Sequence, residues 1–198
     1  MMYLKQNREA KKLILALFMA IGFVSCKSSQ KEDDILVLAE RYYKSLDTSD
    51  DSAIGALLGD SVVVRECEDD YEEKFSRKDY VEWLKWDSVF EPQYEILEIA
   101  QENGVVKAKI SKIDKRILLL HEEPIVWNET IRFNDHKIDR VERTKYLVFN
   151  DILFLKNRTK LLSWIDENHP ELNGFLNGQT EPLGKNYLKA IEFYNNRK

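Results

Sequence analysis

From residue 34 onward the apolar positions follow first a helical and then a strand rhythm. Ile35, Leu38, Ala39, Tyr42 and Leu46 recur at helical spacing behind Asp33 and Asp34, whose charges suit a helix N-terminus. After a polar break over 46–51, the spacing predicts a short helix over 52–58 that stops at Gly59. Val62-Val63-Val64 reads as a short strand and the acidic stretch from Glu66 to Glu73 as a loop. Ser76 and Asp79 have the spacing of a capping box, ahead of a broadly apolar helix with Tyr80, Trp83, Leu84, Trp86 and Phe90 that Pro92 closes. Residues 94–100 and 105–113 read as strands joined at Asn103-Gly104, a pair that favours a hairpin turn. Residues 125–133 and 137–149 form a second such pair across 134–137. Beyond them Thr159 is placed to cap a helix with Leu161, Leu162, Trp164 and Ile165, stopped at His169-Pro170. Pro170 suits the first turn of a short helix through Leu176, and Leu183, Tyr187, Leu188, Ile191 and Tyr194 mark a last one. Helices first and strands second predict an α+β fold, a curved antiparallel sheet packed on N-terminal helices and extended by C-terminal helices.

The segment before residue 34 has a different pattern. Lys5, Arg8, Lys11 and Lys12 outweigh Glu9, and Leu13–Val24 is an uncharged apolar run. That run is too short to span ~30 Å of hydrocarbon and suits the middle of a secretory signal. Phe23-Val24-Ser25-Cys26 resembles the bacterial lipobox, with Phe23 where Leu is commonest. The resemblance implies that Cys26 is acylated, becomes the new N-terminus and holds the protein on a membrane of the bacterial envelope. Lys31-Glu32-Asp33-Asp34 resembles the surface-export signals of some Bacteroidetes lipoproteins and reads equally as a solvated tether. The expected organisation is a signal peptide over 1–25, a tether over 26–33, the main domain over 34–149 and its helical extension over 150–198.

Composition then removes several function classes. In the whole chain 30 Lys and Arg stand against 35 Asp and Glu; without residues 1–25, which hold four cations and one anion, the balance falls to −8. No basic stripe is available for nucleic acid. With Cys26 lipidated, Cys67 has no disulfide partner in the chain. His121, His136 and His169 form no metal-ligand spacing, and the acidic run 66–73 lacks the alternation and glycine of a calcium loop. No glycine-rich phosphate loop or hydrolase motif is present, so neither metal nor cofactor is expected.

Taken in order, Leu46–Cys67 (LDTSDDSAIGALLGDSVVVREC), Ser76–Ile96 and Phe133-Asn134-Asp135-His136-Lys137-Ile138 resemble successive segments of the nuclear transport factor 2-like superfamily, closest to its SnoaL-like branch, over roughly residues 33–149. His136 stands where that group usually has Gly and must take a positive φ. The resemblance implies a cone-shaped half-barrel enclosing an apolar pocket, in a superfamily that includes isomerases, dehydratases, cyclases and epoxide hydrolases.

Alternation along 125–133 puts Trp127, Glu129, Ile131 and Phe133 on one face. With a two-residue turn at Asp135-His136, Glu129 would face Glu142, a carboxylate pair able to serve as acid and base. A one-residue bulge between Asp139 and Val141 would instead turn Glu142 away, leaving Arg140 or Arg143 to neutralise Glu129. Trp83, Trp86, Tyr94, Trp127 and Tyr146 are candidates for pocket lining, and each could equally be core. Three readings follow: a non-catalytic binder of a small apolar or amphipathic ligand or an envelope partner, a cofactor-independent lyase, isomerase or hydrolase, and a scaffold whose pocket its own side chains fill. A homodimer is a further expectation from the open sheet face.

Overall fold

The computed structural model describes residues 29–197, and those from Ile35 onward form one compact unit. Helix α1 (Ser29–Asp47) buries Ile35, Ala39, Tyr42, Tyr43 and Leu46 along one stripe. Asp50 caps α2 (Asp51–Leu57) by accepting the Ala53 N–H at 2.9 Å. The chain passes directly into β1 (Leu58–Glu66), which carries the fully buried Leu58 and Val62. Where a loop was expected, Tyr71–Ser76 forms β2 and pairs antiparallel with β1. This edge strand is exposed along most of its length, with Phe75 half-buried near its end, so its pattern gave little sign of it.

Ser76 caps α3 (Arg77–Ser88), accepting the Asp79 N–H at 3.1 Å and donating to Asp79 Oδ2 at 2.7 Å. Strands β3 (Gln93–Glu102) and β4 (Val105–Ile113) meet at Asn103 and Gly104, both at positive φ. A short helix α4 (Lys115–Leu120), too brief for a period to register, is capped by Asp114. Strands β5 (Ile125–Asn134) and β6 (Lys137–Val148) turn at Asp135 and His136, and His136 takes φ +58 as the turn requires. Helix α5 (Asp151–Asn168) begins well ahead of Thr159: Asn150 caps it, and Thr159 donates to Leu155 O in its interior. Its first turns leave Ile152 and Leu155 exposed, so no apolar stripe announced them. A 3-10 turn at Pro170–Leu172 and α6 (Glu181–Asn195) complete the chain.

The six strands lie in the order β2-β1-β6-β5-β4-β3. The sheet is mixed rather than antiparallel, because β1 runs parallel to β6 while the other neighbours are antiparallel. Strand direction between elements so far apart in sequence leaves no trace in the hydrophobic pattern. Bulges in β6 around Asp139, Thr144 and Leu147, with another in β3, add local bend and twist. One core lies between the sheet and α1 to α3, around Ala39, Leu58, Ile110, Ile131 and Ile138. A second lies among α3, α5 and α6, around Phe90, Leu161, Ile165 and Ala190. There α6 approaches α3 so closely that a Cβ on Gly184 would stand 3.0 Å from Trp86 Cδ1.

Candidate functional site

Between the sheet and the helices lies a two-lobed cavity. The larger lobe, about 360 Å³, is bounded by Tyr43 of α1, Tyr80 and Trp83 of α3, Trp127 and Glu129 of β5, and Arg143 of β6. The smaller, about 240 Å³, is bounded by Trp86 and Asp87 of α3, Lys112 of β4, Arg116 of α4, Tyr146 of β6 and Phe154 of α5. Glu66, Trp83, Tyr94, Trp127, Arg143 and Gln179 border both lobes and form the waist between them. Trp83 donates its indole N–H to Gln179, tying α3 to the segment before α6.

Strand alternation delivers Trp127, Glu129 and Ile131 to this interior, all buried. Glu129, 6% exposed, is held from two sides: Tyr43 donates to Oε1 at 2.7 Å and the Trp127 indole to Oε2 at 3.0 Å. Burial, and next the Glu129 charge, push the Tyr43 hydroxyl well above its ordinary range, so it remains a donor. Burial has the same effect on Tyr42, Tyr80 and Tyr94, and the Tyr42 and Tyr80 hydroxyls bond each other at 2.5 Å.

The expected Glu129–Glu142 pair is not formed. The turn at Asp135-His136 has the expected register, but the bulge at Asp139 shifts β6 by one residue, which sets Glu129 opposite Arg143 and Glu142 opposite Thr130. Glu142 lies on the other face of the sheet, where Arg132 donates to it at 2.9 Å and Arg140 at 3.3 Å. Arg143 makes its ion pair with Glu66 at 2.6 Å, donates from the same nitrogen to Tyr146 Oη at 2.8 Å, and lies over Trp127 with its Cζ 4.4 Å from the ring centre. Burial would lower the Arg143 pKa, but Tyr146, Glu66 and Glu129 together hold it above its ordinary value, so the guanidinium stays charged. Burial, opposed by Arg143, carries the Tyr146 hydroxyl to about 12.

A second charged group walls the smaller lobe. Lys112 Nζ reaches both Asp87 oxygens at 2.6 Å, Arg116 bridges Asp87 at 3.4 Å and Asp114 at 3.0 Å, and Tyr94 donates to Asp87 at 3.1 Å. Burial alone would raise the Asp87 carboxyl, but Lys112 and Arg116 outweigh it and hold it below the ordinary carboxylate range.

Of the candidates named from sequence, Trp83, Tyr94 and Trp127 border both lobes, Trp86 and Tyr146 the smaller one, and Glu129 the larger. Cys67, at the end of β1, is a free thiol. Cys26 lies outside the described residues, and among those described no helix is long and apolar enough to cross a membrane. Nor do three His, Cys, Asp or Glu side chains among the described residues converge as a metal set. Sequence reasoning missed Tyr43, Glu66, Asp87, Lys112 and Gln179. Tyr43 continues the α1 stripe four residues after Ala39 and could have been found; Glu66 enters only through the parallel pairing of β1 with β6.

No family model matches the chain, and no curated protein does. Solved structures do. A protein from Kribbella flavida DSM 17836 named a "putative ketosteroid isomerase" superposes with a TM-score of 0.51 at 14% identity, over 61% of this chain and 82% of its own. A second protein of that organism gives 0.51 at 11% identity, over 65% and 96%. An NTF-2 like protein of unknown function from Burkholderia xenovorans LB400 gives 0.48 at 12%, over 63% and 93%. Identities this low establish the fold alone: the chain shares the α+β architecture, a sheet packed on helices, of the two Kribbella flavida proteins.

Proposed function

We propose that this protein binds a small amphipathic molecule in its two-lobed cavity and does not transform it. The observation that carries this reading is the state of the charged wall groups. Glu129 is engaged through both oxygens, Arg143 is paired with Glu66, and Asp87 is paired with Lys112 and Arg116. Among the described residues no hydrogen bond joins Glu129 to a second carboxylate, and Tyr43 and Trp127 hold its two oxygens in place, which supports a wall built to hold a ligand. The walls suit that role, since aromatic rings present apolar faces and the tyrosines add polar tips.

The proposal places the domain at a membrane of the bacterial envelope through an acylated Cys26. Its support is the order of features before residue 34: cations, an apolar run, Ser25-Cys26 and a polar stretch. Replacement Cys26→Ser is expected to leave an unacylated chain, read as loss of the lipid mass on the N-terminal peptide. An unchanged peptide mass would refute the anchor and leave the pocket untouched.

Native mass spectrometry of the full chain, purified from its own cells in a mild detergent, tests the binding reading. A reproducible adduct of a few hundred daltons that disappears on denaturation is expected. Conversion of that molecule when it is returned to the protein would overturn the non-catalytic reading, and a bare mass would overturn binding.

A further inference from the structure

The geometry points to a monocationic ligand: an ammonium group with an aromatic or apolar body, seated in the larger lobe with Glu129 as its counter-charge. This rests on the ligand-binding reading above and specifies the ligand's chemistry. Three charged groups at and beside the waist turn inward: Glu66, Glu129 and Arg143. Glu66 already takes the ion pair of Arg143 at 2.6 Å. Glu129 is 6% exposed, and among the described residues its hydrogen bonds come from two neutral donors, the Tyr43 hydroxyl and the Trp127 indole. Among the described residues it makes no ion pair, so this part of the cavity carries one negative charge more than positive. Arg65 also borders the larger lobe, but alternation carries its side chain to the sheet face of Glu142, its register partner on β6. The Asp87, Asp114, Lys112 and Arg116 set balances its own charges and adds nothing to the excess.

A buried carboxylate without a counter-charge is costly, and a ligand that brings the missing cation recovers part of that cost. Each carboxylate oxygen has two acceptor positions, so the single donor found at each leaves Glu129 able to accept a further one. The remaining walls favour a cation as well. Tyr43, Tyr71, Phe75, Tyr80, Trp83 and Trp127 surround the larger lobe, and ring faces attract cations through their quadrupoles. The protein's own Arg143 shows the attraction in place, lying 4.4 Å over the Trp127 ring and 5.5 Å over Tyr146. An anionic ligand would face Glu66 and Glu129 together, with Arg143 already committed.

Titration calorimetry of the full chain with three probes sharing one ring tests this: (naphthalen-2-ylmethyl)trimethylammonium, 2-(naphthalen-2-yl)ethanol and 2-naphthylacetate. The cation is expected to bind roughly tenfold tighter than the alcohol, and the anion more weakly than either. Glu129→Gln is expected to bring the cation down to the alcohol's affinity and leave the alcohol unchanged. Its amide adds a donor facing Tyr43 or Trp127, so the wild-type ranking stands as the test even if that variant folds poorly. Alcohol and cation binding equally, or the anion binding best, would overturn the charge assignment while leaving the pocket reading intact. No binding by any probe would overturn both.

Discussion

Arg143 stands directly across from Glu129 in the β5–β6 register, yet its ion pair goes to Glu66 on β1 at 2.6 Å. This divergence follows from two features. The bulge at Asp139 brings Arg143 to the inner face, and the parallel pairing of β1 with β6 puts Glu66 beside it. One guanidinium thereby joins three strands, and its unshared partner Glu129 is left to neutral donors.

Replacing Arg143 with Met would strand Glu66 and Glu129 together inside the cavity wall. Both side chains are 26% exposed, so removing one member of this half-buried pair costs about 2 kcal/mol. Urea denaturation followed by tryptophan fluorescence is expected to show that loss for Arg143→Met. Arg143→Lys should recover little, because an ammonium cannot lie flat on Trp127 and reach both Glu66 and Tyr146. Full recovery by Lys would mean that charge alone matters at this position.

Asp87 links stability to pH. Its carboxyl is held below the ordinary value of 3.8 in the folded chain, so its contribution is complete above that value and is lost as pH falls through the lower folded pKa. At pH 7 Asp87→Asn should cost roughly 3 kcal/mol, since Lys112, 8% exposed, loses its closest counter-charge. Denaturation series from pH 7 down to pH 2 are expected to show the wild-type advantage constant to about pH 4 and shrinking below. A gap that stayed constant to pH 2 would show that Asp87 has no depressed pKa.

Where local chemistry decides, the sequence was legible. Ser76 and Asp79 marked the start of α3, Asn103-Gly104 and Asp135-His136 marked two hairpins, and Trp127 and Glu129 were correctly placed on one face. What stayed hidden depends on partners distant in the chain. The bulge at Asp139 is a one-residue insertion that no composition signals, and it alone decides whether Glu142 or Arg143 faces Glu129. Glu66 looked like the start of an acidic loop because β2 is a polar edge strand, and the direction of β1 against β6 has no local signature. The candidate site was therefore half readable: its aromatic walls and Glu129 from periodicity, the charges around Glu129 only from register.

The capping residue of α3 offers a separate check on that local chemistry. Ser76→Ala removes the acceptor of the Asp79 N–H and the donor to its carboxylate. The expected cost is about 1 kcal/mol, which for a chain of this size lowers the midpoint in calorimetry by about 2–4 °C. Ser76→Thr, which retains both the acceptor and the donor, should recover most of it. A loss of the same size in both variants would place the effect elsewhere than in the cap.

His121 joins the end of α4 to the start of α5, beside the smaller lobe. It is 1% exposed, its Nε2 accepts the Asn150 N–H at 2.8 Å, and its Nδ1 lies 2.8 Å from Glu123 O. The first contact requires Nε2 to be unprotonated, so Nδ1 carries the hydrogen and donates to Glu123. The ring also stacks on Phe149, 5.6 Å away, which in turn lies 5.7 Å from Phe154 of α5. His121→Ala would remove both hydrogen bonds and the stacking face, leaving two part-buried backbone groups to water at a cost of about 1 kcal/mol. Because Asn150 caps α5, the loss should be local: faster amide hydrogen exchange at Leu153 and Phe154 than at Leu161 or Ile165. Phe149 and Phe154 both border the smaller lobe, so probes that fill it should bind more weakly to the variant than those confined to the larger lobe. Uniform acceleration along α5, with both lobes equally weakened, would instead make His121 a general core residue with no particular hold on the helix start.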